Sequence, residues 1–307
     1  MSNIPRWIQK NMVYSSTQRC VDRAFLFKPT DEMRNIAGAC AARAQKRFPV
    51  KIYWLEYNIN HEHEGIAPLS DSAEHLNNII HFKQLFHRLL SGELNRLYKR
   101  EGPVFSGRAH TAPCLDDASV EQQFFYALTN PVKDGLVDKM SRWKGFSSYK
   151  HHALGKDEVY TYFDREAWRR DGQRRPLHSY SRSIRVKYSP IPGLEHMSQG
   201  KRSSYIRRRV REIEKKFRMQ RQADGQKAMS EKRMKRINPR DRPAKEAERG
   251  VAPVCHSSCP VLARKFIDGL KIFISSYAKA SKRYRSGDYN TEFPPGSFRP
   301  PLIMLAG

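Results

Sequence analysis

Two short segments carry side chains whose types and spacing suit chemistry. The first is Asn60-His61-Glu62-His63. On a strand, alternate side chains share a face, so His61 and His63 would present two imidazoles side by side. Neutral imidazoles are good ligands for divalent metal ions. Alone the pattern is weak, because two histidines separated by one residue also arise by chance. The second segment runs Tyr126-Ala127-Leu128-Thr129-Asn130-Pro131-Val132-Lys133-Asp134-Gly135. On a helix, Tyr126 and Asn130 are one turn apart and share a face. A packed tyrosine followed by a helix-terminal asparagine would read the same way. Together the two segments describe one site. A hard divalent cation held by His61, His63 and the amide oxygen of Asn130 would act as a Lewis acid on a phosphodiester oxygen. Tyr126 would then be the nucleophile and form a covalent phosphotyrosine. The departing 3′-hydroxyl could later attack that bond, so rejoining strands would need no external energy source.

These residues need elements to position them. Met12–Arg19 reads as a strand. Thr30 is placed to cap a helix over Asp31–Arg47, with Met33, Ile36, Ala37, Cys40 and Ala44 on one stripe. Val50–Tyr57 is a strand rich in β-formers, and Asn58–Pro68 reads as its hairpin partner. Asp71 or Ser72 opens a second helix running toward Tyr98. Glu101-Gly102-Pro103 is a turn, and Val104–His110 reads as strand. Ser119 is placed to cap a third helix over Val120–Asn130, which Pro131 ends. The order β-α-β-β-α-β-α predicts an α+β fold on the ferredoxin-like split βαβ plan. That plan serves many functions and decides none.

The remainder is different in kind. Residues 151–202 read as irregular. Ser203 or Ser204 opens a long basic helix with Ile206, Val210, Ile213 and Phe217 at helical spacing. Beyond Gly225 a Lys/Arg-rich stretch reaches Arg249. Pro260 begins a last amphipathic helix, and Phe293–Pro301 is Pro-rich. The predicted division is therefore 1–152 as a nuclease-like domain and 153–307 as a basic, mainly helical extension that binds nucleic acid.

Composition supports a polyanionic partner. The 307 residues include 57 Lys and Arg against 31 Asp and Glu, a formal net charge of +26. The excess is concentrated after residue 150, where 36 basic residues face 16 acidic ones. Such a field attracts nucleic acid, although an anionic membrane surface would also answer to it. Five cysteines, an odd and sparse set, fit a reducing compartment better than a disulfide scaffold. No apolar run is long enough to span a bilayer, and residues 1–10 lack a signal-peptide core. A cytoplasmic, nucleoid-associated protein is the expectation.

On these residues the sequence resembles the REP-associated single-tyrosine transposases, chromosomal relatives of insertion-sequence transposases with a His-hydrophobic-His motif. The resemblance covers about residues 12–152. It is carried by Tyr14-Ser-Ser-Thr-Gln-Arg19, Phe25-Leu-Phe-Lys-Pro29, Asn60-His61-Glu62-His63, Gly102-Pro103-Val104-Phe105-Ser106-Gly107-Arg108, and Tyr126…Asn130-Pro131-Val132-Lys133-x-Gly135-Leu136. Phe163-Asp-Arg, Val254-Cys255-His256 and Phe293–Pro301 resemble an extension on one branch of the family. The resemblance implies a single-strand DNA nuclease and strand transferase using Mg²⁺ or Mn²⁺. It implies His61, His63 and Asn130 as metal ligands, and Tyr126 as a nucleophile that forms a 5′-phosphotyrosine and leaves a 3′-hydroxyl. It implies folded hairpins of repetitive extragenic palindromes as substrates, and a monomer more than a dimer. Neither a small-molecule cofactor nor a membrane partner is implied.

One residue departs from the family pattern. Glu62 stands where an apolar residue normally points into the core, and a buried carboxylate without a partner is costly or becomes protonated. Glu62 could lie near an open sheet end or beside a basic partner, could modulate the metal, or could mark a damaged strand. The last reading motivates an alternative function: a weakened or inactive DNA-structure-binding protein derived from such a transposase. A purely charge-driven RNA binder is a third reading. Candidate DNA contacts are Arg108 and Lys133 beside the predicted catalytic strand and helix, with Arg207, Arg208 and Arg211 on the basic helix. Arg202, Arg209, Lys215 and Lys216 share that helix. Cys255-His256-x-x-Cys259 suggests zinc but lacks the second pair of ligands a structural site needs.

Overall fold

The computed structural model describes residues 5–243 and 252–300. The end of the Lys/Arg-rich stretch toward Arg249, and Pro301, lie outside the described residues. The elements in chain order are β1 (Val13–Arg19), α1 (Asp31–Arg47), β2 (Val50–Tyr57), β3 (His61–Pro68), α2 (Ala73–Leu97), β4 (His110–Cys114), α3 (Asp117–Leu128), α4 (Asn130–Lys133), α5 (Tyr149–Leu154), β5 (Tyr160–Phe163), α6 (Arg165–Arg170), β6 (Ser181–Ile184), α7 (Gln199–Ala223), α8 (Glu231–Lys235) and α9 (Pro260–Arg285). The fold is α+β. No helix among the described residues is long and apolar enough to cross a membrane.

The first four strands form one sheet in the order β2-β3-β1-β4, antiparallel at every junction. Helices α1 and α2 cover one face. Tyr14, Ile52, Leu55, Tyr57 and Ile66 pack there against Ala37, Ala41, Phe82, Phe86 and Leu90. Helix α3 covers the other face, where Val13, Trp54, Ala67 and Cys114 meet Val120, Phe124 and Leu128. Strict alternation along β2 would split Ile52 from Leu55. A register shift between Ile52 and Trp54 sends Tyr53 and Trp54 to the α3 side and returns Leu55 and Tyr57 to the α1/α2 side. Gly65 opposes Trp54, and a Cβ there would stand 2.2 Å from the indole. Only glycine lets that ring lie across β3.

Local signals explain the helix ends. Thr30 accepts from Met33 N at 3.1 Å and opens α1. Ser72 does the same for α2 through His75 N. Helix α3 begins earlier than predicted. Asp116 is its cap and Ser119 is the reciprocal partner of a capping box, with Asp116 Oδ1 accepting from Ser119 N at 2.7 Å. The helix stops at Leu128, and Pro131 then sits in the first turn of the short α4, a position that needs no amide proton.

The strand expected at Val104–His110 is a loop, and β4 is His110–Cys114 instead. Gly107 adopts a left-handed backbone conformation, with φ of 60°, which interrupts the extended run. Residues 151–202 also hold more order than expected, including a two-stranded antiparallel pair, β5 and β6.

The predicted boundary at 152 falls inside α5, and later residues enter both cores. Tyr160 and Val186 join the α1/α2 side, and Ile191, Leu194, Ile206 and Val210 join the α3 side. Tyr160 rests so closely on α1 that a Cβ at Gly38 would lie 2.4 Å from its ring. On α7, Arg221 donates to Val132 O at 2.6 Å and pairs with Asp138 at 2.8 Å.

Candidate functional site

Because β3 alternates, His61 and His63 face α3, while Glu62 and Glu64 face α2. The rings of His61 and His63 lie 5.1 Å apart, and the Tyr126 ring on α3 lies 5.5 Å from His63. The turn of α4 brings Asn130 to the same place, with its Oδ1 3.0 Å from His61 Nε2. Lys133 Nζ donates to the Tyr126 hydroxyl at 3.3 Å and stands 4.4 Å over its ring. His61, His63, Tyr126, Asn130 and Lys133 therefore line one cavity of about 610 Å³, together with Thr17, Arg19 and Arg23 of β1 and its following turn. Tyr126 is 42% exposed, so its hydroxyl is reachable.

The electrostatics keep both imidazoles neutral. Burial pushes the His61 pKa down against the opposing pull of Asp134 and the Asn130 hydrogen bond. Burial, with His61 as a neighbour, pushes His63 well below its usual range. Each ring therefore has one nitrogen with a proton and one with a lone pair. For His63, Thr17 Oγ1 is 2.9 Å from Nδ1, and Nε2 is buried without a partner.

His61 is more constrained. Its Nδ1 lies 2.8 Å from Asn60 Oδ1, an orientation set by Asn60 Nδ2 donating to Arg23 O. Its Nε2 faces Asn130 Oδ1, which already accepts from Asn58 Nδ2 at 2.5 Å. One proton cannot serve both oxygens, so a lone pair faces an acceptor oxygen. That arrangement suits a cation. These two donor atoms, 3.0 Å apart, are close enough to serve one divalent ion. The donor set of two imidazoles and one amide oxygen fits a divalent ion.

Several contributors are not legible as site residues in the sequence. Asn58 donates to both Asn130 Oδ1 and Asp134 Oδ2. Asp134 lines the cavity, with its pKa raised by burial and held back by His61. His110 of β4 and His256 also line it. His256 arrives because its segment pairs beside β4, with His256 N donating to Pro113 O at 2.8 Å. Cys255, His256 and Cys259 do not converge as a three-ligand cluster among the described residues.

The predicted DNA contacts divide. Lys133 is at the site. Arg108 is not in this cavity; it is exposed and lies within electrostatic reach of Arg6 and Tyr277. The loop that replaces the predicted strand carries it away, and Gln18 Nε2 fastens that loop through Gly107 O at 2.8 Å. Arg207 donates to Ala153 O at 2.7 Å and Ser204 Oγ at 3.0 Å, which anchors α7 to α5. Arg208 stands 5.4 Å over the Tyr205 ring, and Arg211 is exposed. A second cavity, of about 510 Å³, lies between α3 and α7. It is lined by Arg209 and Lys216 instead, and shares Tyr126 and Lys133 with the first.

Glu62 is 1% exposed and sits 2.6 Å from His87 Nε2 on α2. Glu64 contacts Lys83 and is 3.4 Å from the same imidazole. Burial opposes a charge on His87, but Glu62 and Glu64 outweigh it and raise its pKa to about 9. Burial likewise opposes ionised Glu64, yet Lys83 and His87 bring it down to about 2. Glu62, Glu64 and His87 place ligand atoms within 4.8 Å of one another, but the Lys83 ammonium already balances the charge there. This is a buried quartet of two acidic and two basic side chains, on the face of β3 opposite the histidines. Glu62 thus has the basic partner that one of its three readings required.

No family model matches the chain, and no curated protein does. Among solved structures the chain is similar to a REP-associated tyrosine transposase bound to a REP hairpin. The identity is 18%, the TM-score 0.39, and the match spans 51% of this chain and 87% of that one.

Proposed function

We propose that the protein is a divalent-metal-dependent single-stranded DNA nuclease and strand transferase with Tyr126 as its nucleophile. The observation that carries this reading is the meeting, in one cavity, of His61, His63, Asn130 and Tyr126, which are up to 69 positions apart in the sequence. The β-α-β-β-α-β order and the strand arrangement β2-β3-β1-β4 support our reading of the unit as a ferredoxin-like split βαβ fold and an HUH nuclease domain. His61 Nε2, His63 Nε2 and Asn130 Oδ1 would hold Mg²⁺ or Mn²⁺. Bound there, the ion would supply Lewis-acid polarisation of the scissile phosphate.

The residues of the chain do the remainder. The Tyr126 oxygen loses its proton and bonds to phosphorus, the P–O3′ bond breaks, and the 3′ oxygen leaves and takes up a proton. The product is a 5′-phosphotyrosine and a free 3′-hydroxyl, and the reverse attack rejoins a strand. Lys133, whose ammonium is 3.3 Å from the Tyr126 hydroxyl, stabilises the phenolate and a neighbouring phosphate oxygen. Arg19 and Arg23 supply further positive charge at the cavity wall. The substrate class is hairpin DNA with unpaired flanks, and the chain acts as a monomer.

The test is cleavage of a labelled single-stranded palindromic hairpin taken from DNA flanking the protein's own gene, with Mn²⁺ or Mg²⁺. The wild-type protein should form a covalent adduct, and Tyr126→Phe should form none while still binding. Tight binding without an adduct in either protein would replace the nuclease reading with a binding-only one.

A further inference from the structure

The cavity at Tyr126 does not end there. Tyr126 and Lys133 also border the groove between α3 and α7, whose floor and walls include Phe125, Thr129, Ile213 and Phe217, with Arg209 and Lys216 at the rim. A strand with its phosphate at Tyr126 must continue in two directions. One lies toward the imidazoles, Arg19 and Arg23. The other passes Lys133 into this groove.

We infer that the α3–α7 groove is the track for unpaired nucleotides flanking the reacting phosphate, so that the extension forms part of the substrate-binding surface. The inference rests on the nuclease reading and extends it. Three observations converge on single-stranded DNA as the occupant. First, α7 carries ten basic residues and two acidic ones; Glu214 and Arg221 are buried, and the exposed Glu212 pairs with Arg209 at 2.9 Å, so basic residues outnumber acidic ones nine to one on the rest of the helix. The exposed side of the helix is thus strongly cationic. Second, the groove combines the cations Arg209 and Lys216 with the half-buried ring of Phe217, while Phe125 is buried at its base with the Arg209 guanidinium 5.5 Å over its ring. Alternating positive charge and aromatic surface is how sequence-tolerant single-strand sites grip backbone and bases. A paired helix offers no free base faces to such a groove. Third, α7 is fixed in place by Arg207 to Ala153 O, Arg221 to Val132 O, and Ser203 Oγ to His152 O at 2.8 Å. The groove therefore has a rigid wall before any substrate arrives.

The experiment uses the full chain carrying Tyr126→Phe, so that binding is read without cleavage. Fluorescent oligonucleotides carry one hairpin with flanks of 0, 4, 8 or 12 thymidines on either side, some containing a photoreactive uracil. In the parent, affinity should rise with flank length on one side only, and crosslinks should map to α3 and α7. Arg209→Glu with Lys216→Glu should abolish that length dependence and weaken the flanked probe at least 10-fold, with little change for the bare hairpin. Lys265→Glu with Lys279→Glu on α9 makes the same charge change elsewhere and should keep the dependence. Unchanged thermal melting in each variant guards against misfolding. Equal losses for flanked DNA, duplex DNA and heparin would reduce α7 to a general polyanion surface and overturn the inference, as would crosslinks that avoid α7. Failure of the nuclease reading looks different: no metal-dependent adduct forms with Tyr126 intact, whatever the flanks do.

Discussion

Thr17 decides how His63 faces the cavity. Its hydroxyl is 2.9 Å from Nδ1, so Nε2 is the nitrogen left toward Tyr126 and Asn130. Partners of this kind orient a ligating imidazole and tune it, and losing one costs about 10–100-fold in metal affinity or activity. Thr17→Val keeps shape and removes the hydroxyl. The Mn²⁺ concentration giving half-maximal adduct should rise by about that factor, with hairpin binding intact, and an unchanged metal requirement would sink the role given to Thr17. Glu56 tests the fold by pH. It is fully buried, and burial raises its pKa from 4.5 to about 8 although Ser147 and Ser148 hydrogen bonds favour the carboxylate. The neutral form is therefore preferred in the folded state. Below about pH 4.5 the carboxyl is protonated folded or unfolded, and its contribution is complete. Between about 4.5 and 8 only the unfolded chain ionises, and stability falls by up to about 1.4 kcal/mol per pH unit. Glu56→Gln mimics the neutral acid and should flatten this fall. Urea midpoints from pH 5 to 8 would show the variant gaining on the parent as pH rises, and a constant difference would mean that Glu56 titrates normally.

At the scale of elements, the contact between β3 and α2 is unusual because charge fills it. Glu62 and Glu64 on the strand meet Lys83 and His87 on the helix one turn apart. Breaking a buried pair from one side typically costs about 3–5 kcal/mol, because the partner is left charged and dry. Lys83→Met should cost about that much by denaturant titration without metal. Adding Glu64→Gln should return most of it, and a double variant as weak as the single would show that Lys83 acts through packing alone. The sequence made the need for a partner visible, since Glu62 and Glu64 put two carboxylates on one face of the predicted strand. It did not make the partner visible, because α2 meets β3 only through the tertiary fold. The same contrast runs through the other elements. The hairpin of β2 and β3 and the caps Thr30 and Ser72 are local and were legible. Strand β4 was not, because Pro113 disguises it. Proline is tolerated there because β4 is at the edge of the four-stranded sheet. The site divides in the same way. His61, His63, Tyr126 and Asn130 announce themselves by type and spacing. Thr17, Asn58 and His256 reach the site through strand register or a returning segment.

At the scale of the whole molecule, charge and packing divide the chain differently. Charge separates it near residue 150, with most of the net positive charge beyond that point. Packing does not, because the burial that completes both faces of the sheet comes from residues after 152. Tyr160 is 4% exposed over α1, and Ile206 and Val210 are each 1% exposed against the α3 side. Fully burying a large apolar side chain contributes about 1.5–3 kcal/mol, and removing these three would withdraw an amount comparable with the whole stability of a typical domain, about 5–15 kcal/mol. The cut would also strip Glu214 from Met140 N and Arg221 from Val132 O, leaving polar backbone groups near the α4 turn that presents Asn130 and Lys133. A chain ending at residue 152 should therefore fail to give a cooperative thermal transition, and should not form the Tyr126 adduct even with Mn²⁺ in excess. A chain ending at residue 243, which retains α7 and α8, should melt cooperatively. It should keep the dependence of DNA binding on flank length, since the α3–α7 groove is intact. A cooperative melt and full adduct formation by the 1–152 chain would show instead that charge, and not packing, marks the real division of this protein.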